Sequence, residues 1–511
     1  MRRLLLTVAA LMIVGSLVLD AAPDVVKVDG GQIAGATVDG VRVFKGIPFA
    51  APPVGELRWK APQPVVPWTG VKNADAFGPQ CMQAPYPEGS PYATAPQPTS
   101  EDCLYLNVYT AARNGDRRPV MVWIHGGAWT RGSGSTPAYN GSTLAKKGVV
   151  VVTVNYRLGV FGFLAHPELT AESPHRSSGN YAILDHVAAL EWVKRNIAGF
   201  GGNPANVTIF GESAGSWSVN VVQATPLAKG LFQRAIGESG GQFARTATLA
   251  TAEGAGMTFA KVAGADSIKA LRAVPAEKIN TTPFLRSAIN VDGWVLPSDV
   301  RTIFTQRQHN PGPVLVGSNG NEWTTLSNPA QFPKTMADYR KRVETQYGDV
   351  VKDYDAVYPV KSDADINKAM LDVGRDQTFT LEMRTWARMI AAANAKAFLY
   401  QFTHVPPSPN AATWGAYHAS EIPYVFGTLK NRNWPFTDVD FKLSDQMSSY
   451  WVNFATSGDP NGKGLEKWTP YDQANEPYLD LGDSVQTKHH LLKAQIDFLE
   501  GFQQRRQAAQ R

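Results

Sequence analysis

A serine flanked by glycines stands between a β-branched run and a segment with helical character. The run covers residues 207–210, and residues 211–215 (GESAG) follow it directly. The sharp turn that this pattern makes between a strand and a helix holds its serine in a strained backbone conformation. Side chains at the glycine positions would clash, because the chain passes close to itself there. The pattern therefore favours an α/β fold in which Ser213 projects above a sheet.

Short β-branched runs alternate with helical patterns along the rest of the chain. Residues 149–154 form a valine and threonine run of the kind that is buried on both faces of a parallel sheet. Apolar residues recur with helical spacing over residues 181–197. The other predicted strands are residues 119–124, 313–316 and 396–402, and the other predicted helices begin near residue 214 and cover residues 444–454 and 489–511. This alternation predicts a doubly wound, mostly parallel central sheet flanked by helices.

The N-terminal segment has the pattern of a secretory signal peptide. Arg2 and Arg3 precede a mostly apolar run, residues 4–19, and small residues follow at a position where a peptidase could cut. A membrane anchor is the alternative, but a spanning helix needs about 20 apolar residues and this run is slightly short. We therefore expect residues 1–22 to be removed, a secreted or periplasmic location, and no stable membrane insertion of the mature chain.

Composition excludes several classes of protein. Hydrophobic residues make up 43% and charged residues 18% of the 511 residues, a balance that suits a large packed core and excludes a disordered chain or a coiled coil. The net charge of +5 is spread along the chain without a long run of Lys or Arg. Nucleic-acid binding usually needs a concentrated basic patch, so it is not expected.

Ser213 needs partners if it acts as a nucleophile. A base must take its proton, and hydrogen-bond donors must hold the oxyanion that develops on the substrate. Residues 125–129 (HGGAW) follow a predicted strand, and this glycine-rich loop can aim the N–H groups of Gly127 and Ala128 at one point. The N–H group of Ala214, next to the nucleophile, is the predicted third donor.

Chain order and context select the base and the acid, because serine, acid and histidine follow one another in α/β folds with this serine turn. Among nine histidines, His418 is favoured by its small-residue loop, residues 414–421, and His125 is interpreted as a support for its own loop. Glu322 lies just beyond the C-terminal end of a predicted strand, where α/β sheets place their sites. It would orient the imidazole and stabilise the imidazolium. A solvated surface residue is the alternative for Glu322.

The chain contains two cysteines, Cys81 and Cys103. Two thiols tend to pair in an oxidising compartment. A bond between them would close a loop of 21 residues and contribute about 3 kcal/mol in the chain-entropy model. Two unpaired thiols are the alternative, and a zinc site is not expected, because no histidine lies near either cysteine.

Further motifs occur in order along the chain, and together with the serine turn they resemble the type-B carboxylesterases, the cholinesterase-like branch of the α/β-hydrolases. The resemblance covers nearly all of the mature chain. The motifs are residues 44–50 (FKGIPFA), 52–55 (PPVG), 57–59 (LRW), 101–107 (EDCLYLN), 155–159 (NYRLG) and 200–204 (FGGNP).

The resemblance implies an α/β-hydrolase fold with helical insertions that form an active-site gorge, built as a single catalytic domain over residues 23–511. It implies hydrolysis of small-molecule carboxylic esters through an acyl-enzyme intermediate, without a metal or cofactor. The residues that it implies are a Ser213–Glu322–His418 triad, an oxyanion hole of Gly127, Ala128 and Ala214, a Cys81–Cys103 disulfide, an Arg58–Glu101 ion pair and a supporting Ser239.

Departures from the family pattern bear on the substrate. Ala93, with Tyr92 beside it, stands where cholinesterases place a tryptophan for quaternary ammonium, so a choline site is not expected. Trp323 replaces the glycine that usually follows the acid. A non-catalytic adhesion module of the cholinesterase type is the alternative from another class, and the intact triad argues against it.

Two arginines raise the question of an anionic substrate. Arg131 and Arg286 are candidates for binding a carboxylate, and solvated arginines are the other interpretation. The narrower alternative function is therefore a specialist esterase for anionic or polycarboxylate esters, such as fumonisin side chains. Tyr92, Trp129 and Trp217 complete the predicted substrate contacts. No oligomeric state is predicted.

Overall fold

The computed structural model describes residues 24–113, 115–285 and 288–508. The predicted signal peptide, residues 1–22, lies outside the described residues, and so does Arg286. Within the described ranges, every helix is too short or too polar to cross a membrane.

The strands of the described chain are numbered β1–β17 in chain order. They are Asp24–Val28, Gly31–Val38, Val41–Pro48, Val71–Asn73, Gln80–Cys81, Thr99–Ser100, Tyr105–Thr110, Arg118–Ile124, Val150–Val154, Gly202–Glu212, Arg234–Glu238, Ala247–Thr248, Asn290–Val291, Val314–Asn319, Ala397–Phe402, Pro477–Leu481 and Val485–His489.

The helices are numbered α1–α17 in the same way. They are Ser142–Lys146, Gly159–Phe163, Pro167–Glu172, Tyr181–Asn196, Ala214–Ala224, Leu249–Ala263, Ile268–Ala273, Ala276–Thr281, Val300–Thr305, Met336–Tyr347, Val351–Val357, Asp363–Arg375, Leu381–Ala392, Ala411–Trp414, Ile422–Phe426, Asp438–Ser457 and Lys493–Ala508.

One large sheet has the order β1-β2-β3-β7-β9-β8-β10-β11-β14-β15-β16-β17, with β4 beside β2. Neighbours from β9 to β16 in this order are all parallel. Antiparallel pairs occur at the two margins, where β7 meets β3 and β17 meets β16. The predicted α/β fold with a large, mostly parallel sheet flanked by helices is confirmed.

The sheet is buried on both faces. Val150, Val152 and Val154 of β9 belong to one apolar cluster, whereas Val149 and Val151 belong to a second cluster. Since successive side chains of a strand point to opposite faces, these clusters lie on opposite sides of the sheet. Burial on both faces explains why this strand has no polar alternation, as its sequence indicates.

The predicted elements agree with the structure except near the C-terminus. The sequence pattern predicts a helix over residues 489–511, but residues 485–489 form β17, and α17 begins at Lys493. His489 pairs with Pro477 in an antiparallel hairpin, and this pairing outweighs the helical pattern at that position. Residues 509–511 lie outside the described residues.

Helices α10–α13 form an insertion between β14 and β15. All four pack with α17 around a third apolar cluster, which includes Tyr339, Tyr354, Ile366, Leu381 and Leu499. The insertion begins shortly after Glu322, so it lies beside one of the predicted site residues.

Candidate active site

The predicted site residues follow the C-terminal ends of four strands of the sheet. Gly127 follows β8, Ser213 follows β10, Glu322 follows β14, and His418 lies beyond β15. These strands are parallel, so their C-terminal ends lie at the same edge of the sheet, where α/β proteins bind their ligands.

The turn at Ser213 requires glycine on both sides. A Cβ atom on Gly211 would lie 2.6 Å from the carbonyl oxygen of Ile124, and one on Gly215 would lie 2.0 Å from the same oxygen. Ser213 itself has φ 56° and ψ −123°, a conformation that costs energy for any residue with a side chain. Its N–H group donates to the carbonyl of Glu238 at 2.8 Å. The serine is therefore fixed at the strand–helix junction.

His418 and Glu322 contact one another in the interior. The Nδ1–H group of His418 donates to Oε2 of Glu322 at 2.5 Å, and the backbone N–H of Asn319 donates to Oε1 of the same glutamate at 2.6 Å. The two loops are joined where the N–H of Asn321 donates to the carbonyl of Ala416 at 2.9 Å. These contacts fix the orientation of the imidazole.

The other ring nitrogen of His418 faces Glu212. The distance from Nε2 to Oε1 of Glu212 is 3.0 Å, but the direction is wrong for a hydrogen bond, and Oε1 has no partner among the described residues. A Cβ atom on Gly126 would lie 2.6 Å from Oε2 of Glu212 and 3.0 Å from Cβ of Ser213. Ser213, Glu212 and the glycine-rich loop are thus directly adjacent.

The glycine-rich loop has an unusual backbone. Gly127, Ala128 and Trp129 have φ values of 111°, 54° and 57°, which are disfavoured for the two residues that carry side chains. Ala214 is the first residue of α5, and the first N–H groups of a helix have no partner within the helix. The predicted donors therefore lie on a strained loop and at a helix N-terminus beside Ser213.

His125 holds this loop through contacts with its backbone and with Tyr156. Its Nδ1–H group donates to the carbonyl of Gly126 at 2.8 Å, and its ring stacks on Tyr156 with 4.4 Å between the centroids. Burial lowers the pKa of His125 to about 4, so the ring is neutral at pH 7. These contacts agree with the interpretation of His125 as a support.

Three further buried carboxyl groups lie close to the predicted triad, and the sequence patterns did not indicate them. They belong to Glu212, Glu238 and Glu421. Burial raises the pKa of each one well above its ordinary range, and neighbouring carboxyl groups raise those of Glu212 and Glu421 further. Each of the three therefore keeps its proton to a higher pH than an exposed glutamate does. No local pattern distinguishes them from surface glutamates before the sheet brings them together.

The disulfide between Cys81 and Cys103 is present and closes a loop that we call the rim loop, residues 82–102. Arg58 forms an ion pair with Glu101 at 2.5 Å near the end of this loop, as the resemblance implies. Arg58 also donates to the carbonyl of Val274 at 2.7 Å. The ends of the rim loop are thus tied both covalently and by a buried ion pair.

Two tyrosines of the rim loop lie near the predicted triad. The ring of Tyr92 lies 6.4 Å from the ring of His418, and its hydroxyl contacts Oγ1 of Thr325 at 2.6 Å. Tyr86 was not predicted from the sequence, which has no regular pattern in this segment. A Cβ atom on Gly127 would lie 2.9 Å from the Tyr86 hydroxyl, so this side chain lies beside the predicted oxyanion donors.

The remaining predicted substrate contacts differ in their exposure. Trp129 is only 3% exposed, and its indole N–H donates to Oγ of Ser218 at 2.8 Å, which leaves little of it for a substrate. Trp217 is partly buried and packs on Trp129 with 5.4 Å between the rings. Arg131 is partly exposed, and its guanidinium lies over the ring of Tyr86 at 5.6 Å.

Ser239, the predicted supporting serine, is buried next to Glu238. It has φ 56°, and its N–H donates to the carbonyl of Gly317 at 2.8 Å. Its hydroxyl has no partner among the described residues. In those same residues, no group of three or more His, Cys, Asp or Glu side chains is arranged to hold a metal ion.

The chain is similar to known esterases over most of its length. It is 37% identical to the Fumonisin B1 esterase of Sphingopyxis macrogoltabida, over 89% of this chain and 86% of that protein. It is 34% identical to Carboxylesterase 1C of Rattus norvegicus, over 94% and 93%. A carboxylesterase of Geobacillus stearothermophilus superposes with a TM-score of 0.81 at 34% identity, over 92% of this chain and 99% of that one.

A family model supports the same assignment. The model of the carboxylesterase family matches residues 22–499, which include every predicted site residue. A PNB esterase structure also superposes over 93% of this chain and 99% of that one, with a TM-score of 0.80 and 33% identity. The chain therefore belongs to the carboxylesterase family and is a carboxylic-ester hydrolase with an α/β-hydrolase fold.

Proposed function

We propose that this esterase cleaves carboxylic esters with a triad of Ser213, Glu322 and His418. The observation that carries the proposal is the hydrogen bond from His418 Nδ1 to Glu322, beside a serine held on a strained turn. This bond leaves Nε2 unprotonated in the neutral ring, so that Nε2 is the nitrogen that accepts the serine proton.

The reaction proceeds in two halves. In the first, Oγ of Ser213 attacks the ester carbonyl while His418 takes the serine proton, and the proton is then given to the leaving alcohol. In the second, His418 activates a water molecule that releases the acid from the acyl-serine. The N–H groups of Gly127, Ala128 and Ala214 hold the oxyanion in both halves, and each such donor is typically worth about 3 kcal/mol in the transition state.

A buried carboxyl group beside His418 bears on which glutamate stabilises the imidazolium. Glu212 lies 3.0 Å from His418 Nε2, and burial raises its pKa well above the ordinary range, which disfavours its charged form. An ionised Glu212 would attract the imidazolium away from Ser213. The raised pKa of Glu212 therefore favours Glu322 as the partner that stabilises the imidazolium.

We further propose that the protein is secreted, as residues 1–22 predict. A disulfide forms and persists in an oxidising compartment, and the Cys81–Cys103 bond supports export on that ground.

A panel of esters of different acyl charge and alcohol size, with a matched amide and a matched thioester, tests the proposed activity. Ser213→Ala is expected to lower kcat at least about thousandfold on every ester, and His418→Gln is expected to do the same. A burst of alcohol release before the steady state is expected from the wild type, since an acyl-enzyme accumulates. Full activity of Ser213→Ala would contradict the mechanism.

The similarity to the Fumonisin B1 esterase favours a second, narrower candidate function. That relative is 37% identical to this chain. The candidate is a specialist esterase for anionic or polycarboxylate esters, such as the side chains of fumonisins. In the ester panel, this function requires a preference for substrates that carry free carboxylates.

A further inference from the structure

Arg131 is anchored beside the candidate active site without an acidic partner in the described part of the chain. Its backbone N–H donates to the carbonyl of Gly127 at 3.0 Å, and its Nε–H donates to the carbonyl of Ala84 at 3.2 Å. The guanidinium lies over the ring of Tyr86. Neither terminal nitrogen of Arg131 has an acceptor among the described residues, so both remain available to a ligand.

The position of this guanidinium is set by the same groups that surround the reacting centre. Tyr86, which supports it, has its hydroxyl next to Gly127 of the predicted oxyanion hole. Tyr86 also lies in the rim loop with Tyr92, whose ring faces His418. Arg131 and Gly127 of the predicted oxyanion hole therefore both lie against Tyr86.

No acidic side chain of the described residues forms an ion pair with Arg131. Glu212 is the acidic residue that acts electrostatically on Tyr86, and burial raises its own pKa well above the ordinary range, which disfavours its charged form. An arginine with two free terminal nitrogens binds a carboxylate through paired, charge-assisted hydrogen bonds. Such a group at the side of an ester-binding site is suited to a substrate that carries a carboxylate.

We propose that Arg131 is a specificity-determining residue that binds a free carboxylate on the ester substrate. The inference rests on the proposed function and deepens it by assigning the recognition of the anion to one side chain. The carboxylate can belong to the acyl part or to the alcohol part of the ester, and the experiment below distinguishes the two.

A second arginine at the rim loop provides a matched control. Arg432 also has no acidic partner among the described residues, but its terminal nitrogens are already engaged. One donates to the hydroxyl of Tyr417 at 3.1 Å and the other to the carbonyl of Pro91 at 3.5 Å. Arg432→Gln therefore removes a positive charge from the same rim without removing free donors.

The test compares two pairs of esters in which a carboxylate is replaced by a primary amide of the same size. The acyl pair is the 1-naphthyl monoester of glutaric acid and 1-naphthyl glutaramate. The alcohol pair is 3-(butyryloxy)benzoate and 3-(butyryloxy)benzamide. The values of kcat/KM are measured for the wild type, Arg131→Gln, Arg131→Lys and Arg432→Gln.

Arg131→Gln is expected to lower kcat/KM about tenfold or more for the carboxylate ester of at least one pair, with little change for its amide partner. The pair that responds identifies the part of the substrate that carries the carboxylate. Arg131→Lys is expected to recover part of the loss, and Arg432→Gln is expected to affect both members of a pair alike.

Three results would overturn the inference. Equal losses on both members of both pairs would mean that Arg131 only supports the rim loop. A selective loss of the same size in Arg432→Gln would assign the preference to the general charge of the rim. Hydrolysis of all four esters with no selective change in Arg131→Gln would leave the proposed function intact and remove this inference alone, whereas a wild type that cleaves none of the four would overturn the proposed function itself.

Discussion

At the scale of single residues, the backbone of the serine turn and the pKa values of the buried carboxyl groups depend on different parts of the chain. The serine turn was predictable, because the need for glycine at positions 211 and 215 arises from contacts within one strand, one turn and one helix. The raised pKa values of Glu238 and Glu421 were not predictable, because they depend on elements that are distant in sequence and adjacent in the fold. Tyr86 was missed for the same reason, since its position depends on where the rim loop packs.

Glu238 makes the stability of the protein depend on pH. Its carboxyl is buried, its Oε1 accepts a hydrogen bond from the indole of Trp451 at 2.8 Å, and its Oε2 has no partner among the described residues. Burial raises its folded pKa above the ordinary 4.5, so the folded state holds a proton that the unfolded state releases. Stability is then greatest below the unfolded pKa and falls as the pH rises from there through the raised folded pKa.

The variant Glu238→Gln removes this titration. We expect its melting temperature to fall less than that of the wild type between pH 5 and pH 8, because it lacks the proton that Glu238 releases on unfolding. A single titrating group changes the free energy of unfolding by at most about 1.4 kcal/mol per pH unit. Differential scanning calorimetry at several pH values measures the effect. Glu466→Gln, at an exposed position, is the control. Identical pH dependence of Glu238→Gln and the wild type would contradict the protonated state of Glu238.

At the scale of elements, strands in the middle of the sheet were predicted best. Apolar runs such as residues 149–154 have one stable position, between two layers of helices. The helix predicted over residues 489–511 was wrong at its start, because residue 489 pairs with Pro477 of β16 and α17 begins only at Lys493. The helices between β14 and β15 were expected only through the family resemblance.

Helix α12 explains a departure from the family pattern. A Cβ atom on Gly374 would lie 2.3 Å from the indole of Trp323, so the tryptophan that follows Glu322 occupies the space left by this glycine. Glycine and tryptophan are therefore complementary at this contact, which joins the helical insertion to the loop of the predicted triad acid.

Replacing Gly374 by alanine is expected to destabilise the protein, although the same change within a helix usually stabilises it. Gly→Ala within a helix ordinarily stabilises by roughly 0.5–1 kcal/mol. Gly374→Ala is instead expected to destabilise by about 1–3 kcal/mol, because the new methyl group clashes with Trp323. It is also expected to lower kcat, because Trp323 follows Glu322 directly in the chain and a shift of the indole would move the proposed triad acid.

Gly254 in α6 provides the matched control, because a Cβ atom there would meet nothing within 4 Å. Gly254→Ala is expected to raise the melting temperature and to leave kcat unchanged. Urea unfolding and ester hydrolysis of both variants test the pair of expectations. A gain in stability from Gly374→Ala would show that the contact with Trp323 is loose.

At the scale of the whole molecule, the candidate site draws on residues from Gly127 to His418. Length alone would allow up to about three domains at about 150 residues each. We propose a single catalytic domain over residues 23–511, because the four site loops arise from one sheet. Ion pairs also connect distant elements, since Arg384 of α13 contacts Glu476 at 2.8 Å and Asp497 of α17 at 2.5 Å.

A single domain implies that damage far from the site lowers the stability of the site. Leu499 of α17 is 1% exposed within the third apolar cluster, so Leu499→Ala is expected to cost about 2–5 kcal/mol. On heating, esterase activity and the tryptophan fluorescence signal of the folded state are expected to be lost together, at a lower temperature than in the wild type. Leu285→Ala is the control, since Leu285 is 85% exposed. Loss of fluorescence while activity persists would indicate two separate folding units.

The closed rim loop has a consequence for how such a protein diversifies. One covalent bond fixes both ends of residues 82–102, whereas Ser213, Glu322 and His418 depend on the strands of the sheet. The ends of this segment are therefore held independently of most of its internal sequence, and the strands that carry the proposed triad do not pass through it. We expect that substitutions within this short segment change which esters are cleaved.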